Sequence, residues 1–301
     1  MTVLVVGDVI DDIVVRPQRP VTADSDTPST ITACPGGSGA NQAAWLGALG
    51  ADVRFAGRAG AADVESHTAA LAAAGVDARL AADPRAATGR IVVLAEGGRR
   101  DMYTDRGANL NLSPADLPDE LLDGVRLLHV SGYSLFHPGV RDAVGGLMAR
   151  ARERGVAVSV DPGSAAFLAA SGPEAFRAWA RGARLIFPNL DEGRLLTGLR
   201  DPSDIATALT ADHPVVALKL GADGVLVAAD DGTRLRLPSA PAEVVDPTGA
   251  GDAFCAGFLT AWAESRPLET CARNGLSAAA TAIAAVGARP PVTLHPPPHD
   301  H

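Results

Sequence analysis

Short runs of apolar, often β-branched residues recur along this chain with Ala- and Leu-rich stretches of helical length between them, and that rhythm leaves few folds open. Val3–Val6, Val53–Ala56, Leu127–Val130, Val156–Val160, Leu185–Phe187, Val215–Leu218 and Val225–Ala228 read as strands. Helices are expected over 40–49, 64–74, 139–153, 173–181, 191–197 and 203–211, with two more near 250–264 and 268–286 closing the chain. Strands that lack polar alternation are buried on both faces, as in a mostly parallel sheet with helices on either side. Two segments, at about 12–34 and 88–104, alternate polar and apolar residues instead, the period of strands with one solvated face. They are expected to form a small separate sheet.

The densest chemistry lies in Val245-Asp246-Pro247-Thr248-Gly249-Ala250-Gly251-Asp252-Ala253-Phe254. Glycines just before a helix let the N–H groups of its first turn face an anion, where the helix dipole also favours negative charge. A carboxylate at Asp252 is out of place in an anion site unless it takes a proton from a hydroxyl that attacks a bound phosphoryl group. The plainer reading makes Asp252 a helix cap in a tight loop. A second junction, Pro35-Gly36-Gly37-Ser38-Gly39-Ala40-Asn41, also opens a helix. Its paired glycines allow close backbone approach to a ligand, and Asn41 offers two donors and an acceptor to hydroxyl groups. Two Gly-to-helix junctions roughly 200 residues apart, each with one polar side chain, suit a two-substrate site.

Composition narrows the classes. With 301 residues, 47% apolar and 20% charged, the chain has the makings of a packed globular protein. A net charge of −9 argues against nucleic acid or an anionic membrane as a partner. Any positive potential for phosphate must therefore be local. Cys34, Cys255 and Cys271 are odd in number and lack metal-type spacing, so reduced thiols and a cytoplasmic location are expected. Val3–Val6, ended by Gly7 and Asp8, reads as a buried strand and not as a signal peptide or membrane span.

Four motifs in order resemble the ribokinase-like (PfkB) carbohydrate kinases across nearly the whole chain. Gly36-Gly37-Ser38-Gly39-Ala40-Asn41, with Ala43 and Leu49-Gly50, is similar to the family's N-terminal signature. Asp246-Pro247-Thr248-Gly249-Ala250-Gly251-Asp252 is similar to its C-terminal signature. Asn189-Leu190-Asp191-Glu192 matches its Asn-x-x-Glu element, and Gly221-Ala222-Asp223-Gly224 its nucleotide-side turn. The resemblance implies one kinase domain over residues 1–301, a ribokinase-like three-layer α/β/α fold with a mostly parallel sheet, and a small β-sheet lid over a sugar. It implies ATP and Mg²⁺ as cofactors, a small sugar as acceptor, and a homodimer formed through the lid. Asp252 would be the base, and the N–H groups of Gly249, Ala250 and Gly251 the anion hole. Asn189 and Glu192 would orient Mg²⁺ through its waters, although both also suit a helix N-terminus. Lys219, Gly221, Gly224, Asn189 and Thr248 would line the nucleotide side, and Asp246 is the candidate for a monovalent cation (K⁺). On the acceptor side the family places an acid at Asp12, with Gly36, Gly37 and Asn41 completing the hydroxyl-binding set.

Departures from the family pattern bear on the acceptor. Ser38 stands where ribokinases carry Lys, His129-Val130-Ser131-Gly132-Tyr133 lacks their acid, Pro247 replaces a common Thr, and Gly60-Ala61-Ala62-Asp63 departs from Gly-Asp-Asp. Ribose is therefore not the expected substrate. In the second lid segment Arg106 could pair with an acidic sugar or merely with Asp105, and Tyr103 could stack on a sugar or base or belong to lid core. A dinucleotide-dependent oxidoreductase would need Gly-x-Gly-x-x-Gly after its first strand, where this chain has one glycine and three acids in Gly7–Asp12. A non-catalytic relative would lack Asp252. A nucleoside kinase uses the same motifs, and a hydrophobic or aromatic lid face would favour it; only 4% of residues here are aromatic, which favours a sugar.

Overall fold

The computed structural model describes residues 2–96 and 99–291; Gly97, Gly98 and the Pro- and His-containing tail from 292, parts of the expected lid and domain, lie outside the described residues. The chain opens with β1 (Thr2–Val6), β2 (Ile10–Pro17), β3 (Ser29–Gly36), α1 (Ser38–Ala48), β4 (Asp52–Gly60), α2 (Val64–Ala72) and β5 (Val76–Asp83). It continues through β6 (Gly89–Glu96), β7 (Arg99–Asp105), β8 (Val125–Ser131), α3 (Pro138–Glu153), β9 (Ala157–Asp161), α4 (Ala165–Ser171), α5 (Pro173–Trp179) and β10 (Leu185–Ile186). It closes with α6 (Leu190–Thr197), α7 (Pro202–Leu209), β11 (Val215–Lys219), β12 (Val225–Ala229), β13 (Arg234–Leu237), α8 (Ala250–Ala263) and α9 (Leu268–Ile283).

Among the described residues nine strands form one sheet in the order β13-β12-β11-β10-β9-β8-β1-β4-β5, with β12 alone running against the others. Successive β1 residues go to opposite faces. Val3 and Val5 join a core with Trp45 of α1, Phe254 and Phe258 of α8 and Cys271 of α9. Leu4 and Val6 join a second core with Leu147 of α3, Phe176 of α5, Leu196 of α6 and Ile205 of α7. This is the three-layer α/β/α arrangement. β2, β3, β6 and β7 form the separate four-stranded sheet, in the order β3-β2-β6-β7.

The path of the chain reverses beside β1: β4 and β5 extend the sheet one way, β8 to β13 the other. Clefts outside the carboxyl ends of parallel strands at such a reversal are where open α/β sheets bind ligands. Here Gly7 and Asp8 follow β1, and α1 enters across them. No side chain of its own caps α1. Asp8 does so from outside, its Oδ1 accepting from Gly39 N (3.0 Å) and its backbone oxygen from Ala40 N (3.2 Å). A Cβ on Gly39 would lie 2.5 Å from Gly7 Cα, and one on Gly37 2.5 Å from Asp8 O. These glycines thus serve close approach of α1 to the chain after β1.

Candidate active site

Asp252 sits in the third position of α8, whose N-terminus carries no side-chain cap. Gly249 supplies the left-handed conformation (φ 76°) that turns the chain into the helix, and its α-carbon lies flat against Ala288, where a Cβ would have no room. Gly249, Ala250 and Gly251 line a cavity of about 390 Å³ together with Asp252, Lys219, Asn189 and Glu192, the Ala250 N–H also lying 3.4 Å from Pro247 O. Gly221 and Gly224 close the same cavity from the turn between β11 and β12. Ser38 Oγ donates to Asp252 Oδ1 (2.7 Å) and Asn41 Nδ2 donates to Oδ2 (3.2 Å), so both glycine junctions meet at this carboxylate. Burial, helped by Asp161, pushes the Asp252 pKa up to about 7, although the two hydrogen bonds and Lys219 pull it down. A carboxylate titrating there can both hold and release a proton near neutral pH.

A polar chain runs behind Asp252. Lys219 Nζ donates to Asp161 Oδ1 (2.9 Å), and Gln42 Nε2 donates to Asp161 Oδ2 (2.9 Å). Gln42 Oε1 then faces His129 Nε2 at 3.0 Å, and His129 Nδ1 lies 2.8 Å from Ser159 Oγ. Burial depresses the His129 pKa to about 4, so the ring is neutral. With the Gln42 oxygen toward it, Nε2 carries the proton and Nδ1 accepts from Ser159. Burial also works against the Lys219 charge, but Asp161 foremost outweighs it and keeps the ammonium pKa above its ordinary value. Nζ stands 3.4 Å from where a Gly251 Cβ would be, beside the first turn of α8.

Asn189 and Glu192 make a complete capping box on α6. Asn189 Oδ1 accepts from Glu192 N (2.9 Å) and Glu192 Oε2 accepts from Asn189 N (2.8 Å). The helix-terminus reading and the cavity-lining one hold together, because Glu192 spends one oxygen on the cap. Burial and Asp161 raise its pKa to about 7 against the pull of Lys219.

A second group of polar residues lies beside the small sheet, around Asp12 and Gly36. Asp12 faces Gly36, where even a methyl group would collide with its carboxylate. Burial, with Asp8 and Asp11, raises its pKa to about 6, while Arg289 lowers it. Arg289, beyond α9, donates Nε to Asn41 Oδ1 and Nη2 to Gly36 O, each at 3.4 Å. Its Nη1 is buried without a partner among the described residues. Arg106 pairs with Asp8 (3.1 Å), not Asp105, and lies 4.6 Å over the Tyr133 ring. Asn109 anchors that segment by exchanging two hydrogen bonds with the backbone of Val9 (2.8 and 2.7 Å).

Three expected residues do not join this cluster. Tyr103 pairs with Val92 and Val92 with Ile13, whereas Asp12 pairs with Ile91 and Cys34. Directly opposed residues share a face, so the register places Tyr103 on the far side of the lid from Asp12, 63% exposed. Thr248 lies outside the cavity lining, its N–H spent on Asp246 Oδ1 (2.9 Å). Asp246 also accepts from Gly287 N (3.2 Å) and faces the Arg16 guanidinium at 4.0 Å, which makes it a clasp between lid strand β2, the α8 loop and the end of α9.

Asp161, Gln42, His129 and Arg289 were missed as site residues. Asp161 carried a signal, because an acid closing a buried parallel strand sits at the ligand-binding edge, as Asp8 does just after β1. Arg289 carried none, lying 248 positions from Asn41.

Comparison with known proteins gives the family. A cytidine kinase from Thermococcus kodakarensis is 43% identical over 99 residues, 32% of this chain but only 35% of that protein. An ATP-dependent ribose-1-phosphate kinase from Halopiger xanaduensis is 28% identical over 294 residues, covering 95% of this chain and 93% of that one. The solved structure of adenosine kinase from Sinorhizobium meliloti superposes with a TM-score of 0.87 at 26% identity, covering 97% and 96% of the two chains. The sequence pattern described as the pfkB family carbohydrate kinase matches residues 2–294, and the chain belongs to that family of kinases.

Proposed function

We propose that this kinase transfers the γ-phosphoryl group of ATP to a hydroxyl, a primary one by preference, of a small monosaccharide. The observation that supports this best is the meeting of the two glycine junctions. Asp252 is held by Ser38 and Asn41 from the acceptor side while standing in the uncapped first turn of α8, next to Lys219. Asp252 takes the hydroxyl proton as the oxygen attacks. The Gly249, Ala250 and Gly251 N–H groups hold the negative charge that develops on the phosphoryl oxygens. Lys219, beside that turn, reaches the phosphates from its seat on Asp161, and Asp12, Asn41 and Arg289 orient the sugar. Among the described residues no three His, Cys, Asp or Glu side chains cluster to grip a metal directly. Glu192, buried and with one oxygen free of the cap, fits Mg²⁺ held through its waters. The ion would offset charge on the β- and γ-phosphoryl oxygens. A monovalent cation at Asp246 would have to displace Arg16.

Residues 1–301 act as one kinase domain in this reading, with the small sheet closing over the acceptor. A second copy fits the far face of the lid, where Ile31 and Tyr103 are 65% and 63% exposed, so a homodimer is part of the proposal. Likeness to adenosine and cytidine kinases supports a nucleoside kinase as the second reading. Against it, Tyr103 is the lid's lone aromatic and lies on the far face, leaving that side of the lid without a ring to stack on a base. A coupled-ADP screen of pentoses, hexoses, ketodeoxy acids, phosphosugars and nucleosides tests this. A monosaccharide other than ribose is expected to win. Preference for a nucleoside sinks the sugar reading and leaves the kinase intact.

A further inference from the structure

The parallel sheet has two ends, and the site described above uses only the carboxyl one. At the other end, where β1, β8 and β9 begin, the structure holds a larger cavity of about 600 Å³, within the size range of small-molecule sites. Four arginines line it: Arg126, Arg154, Arg184 and Arg266. No carboxylate is among the described residues of the lining. In a chain of net charge −9, that is a local reversal of sign.

Two of these arginines already have ion-pair partners. Arg154 reaches Asp119 (2.7 Å) and Asp123 (3.5 Å), and Arg266 reaches Glu264 (3.1 Å), all of them solvent-exposed pairs that hold their partners weakly. Arg126 and Arg184, both exposed, line the cavity and make no side-chain hydrogen bond or ion pair among the described residues, so neither charge is compensated by an acid. The turn from α8 to α9 forms another wall. It holds Ser265 in the left-handed conformation (φ 59°) and presents Trp262, with the N-terminus of the 16-residue α9 opening beside it. A planar aromatic beside paired guanidinium groups suits a ligand with a compact body and more than one anionic group.

We propose that this cavity is a second binding site, for a small polyanion carrying at least two phosphoryl or carboxylate groups. Arg126 and Arg184 are its principal donors and Trp262 its apolar wall. The site lies at the far end of α8, 14 residues long and so about 20 Å from the end that carries Asp252. It is separate from the ATP and acceptor pockets and uses none of their residues.

The test titrates the full-length protein with inorganic pyrophosphate, without metal, and reads tryptophan fluorescence. A Trp262→Phe variant isolates the local signal from those of Trp45 and Trp179. A saturable response carried by Trp262 is expected, weakening as ionic strength rises. Replacing Arg126 and Arg184 together by Gln is expected to weaken it by at least ~10-fold, the effect of removing about one charge-assisted hydrogen bond. Both arginines are exposed, so kcat and the KM for ATP without pyrophosphate should stay within about twofold of wild type. Citrate and a sugar bisphosphate, titrated in parallel, tell carboxylate from phosphoryl recognition, and saturable binding of any of the three at Trp262 supports the site. Failure of all three to perturb Trp262, or affinity unchanged in the Arg126→Gln, Arg184→Gln protein, overturns it.

Discussion

Asp252→Asn should inactivate this kinase and stabilise it in the same stroke, and the stabilisation should depend on pH. Asp252 titrates near 7 in the folded protein against 3.8 for an unperturbed aspartate, chiefly because it is withdrawn from solvent. Its folded-state pKa lies above its unfolded one. The folded state therefore binds a proton that the unfolded chain has released, and stability falls as pH rises from about 4 to about 7. At ~1.36 kcal/mol per pH unit the full gap costs about 4 kcal/mol by pH 8, and roughly 1.5 kcal/mol at pH 5. Asparagine removes this term but can accept only one of the hydrogen bonds from Ser38 and Asn41, a loss of about 1–2 kcal/mol.

The net expectation is a gain of about 2–3 kcal/mol at pH 8 and close to nothing at pH 5. For a chain of this size that is a Tm rise of roughly 3–6 °C at pH 8. Thermal unfolding of wild type and variant at both pH values measures it. Turnover should fall by at least ~10²-fold, the scale of a lost general base, with the KM for ATP little changed. Wild-type kcat/KM should climb with pH along an acid limb near 7. Equal Tm differences at pH 5 and pH 8, or a flat kcat/KM between them, would refute a partly buried base with a raised pKa.

Other residues give sharper separations. Glu192→Gln keeps an oxygen for the Asn189 N–H, so α6 should stay capped while the Mg²⁺ concentration for half-maximal activity rises several-fold; unchanged metal dependence would reduce Glu192 to a cap. Lys219→Met strands the Asp161 carboxylate, 3% exposed, and should cost about 3–5 kcal/mol in chemical denaturation. Adding Asp161→Asn should recover much of that stability but none of the ATP affinity, and recovery of both would place Lys219 away from the phosphates. Arg289→Met should raise the acceptor KM at least ~10-fold with the ATP KM unchanged, as expected for a guanidinium that donates to substrate. Equal effects on both constants would make it only a strut for Gly36 and Asn41.

What the sequence disclosed follows from how local each signal is. Central strands such as Val3–Val6 are buried on both faces and spell that out residue by residue. β5 and β13, the two outer strands of the large sheet, were not foreseen. Val-Asp-Ala-Arg-Leu-Ala-Ala-Asp and Arg-Leu-Arg-Leu are half-solvated and poor in β-branched residues. α4 was missed because it is 7 residues long and stops at Gly172 (φ 88°), where α5 begins. The same division holds at the site. Gly249–Asp252 and Asn189–Glu192 act within one turn and could be read directly. Ser38 with Asp252, or Arg289 with Asn41, meet across 214 and 248 positions, which only the fold can bring together.

Apart from Arg289, the cations around the site are paired with acids before substrate arrives. Lys219 is bound to Asp161, Arg106 to Asp8, and Arg58 bridges Asp83 and Asp116. What remains to attract an anion is the α8 N-terminus, which no side chain caps, the free Nη1 of Arg289, and whatever share of Lys219 can be drawn from Asp161. Glu192 and Asp252, both titrating near 7, add negative charge as pH rises. A bare triphosphate would meet little net attraction in such a pocket, whereas one that brings its own divalent cation relieves the carboxylates as it binds. An acidic protein can bind nucleotide this way without a basic surface. On the proposed mechanism the base need not be strong, since its task begins when the charges around it have been balanced by the substrate.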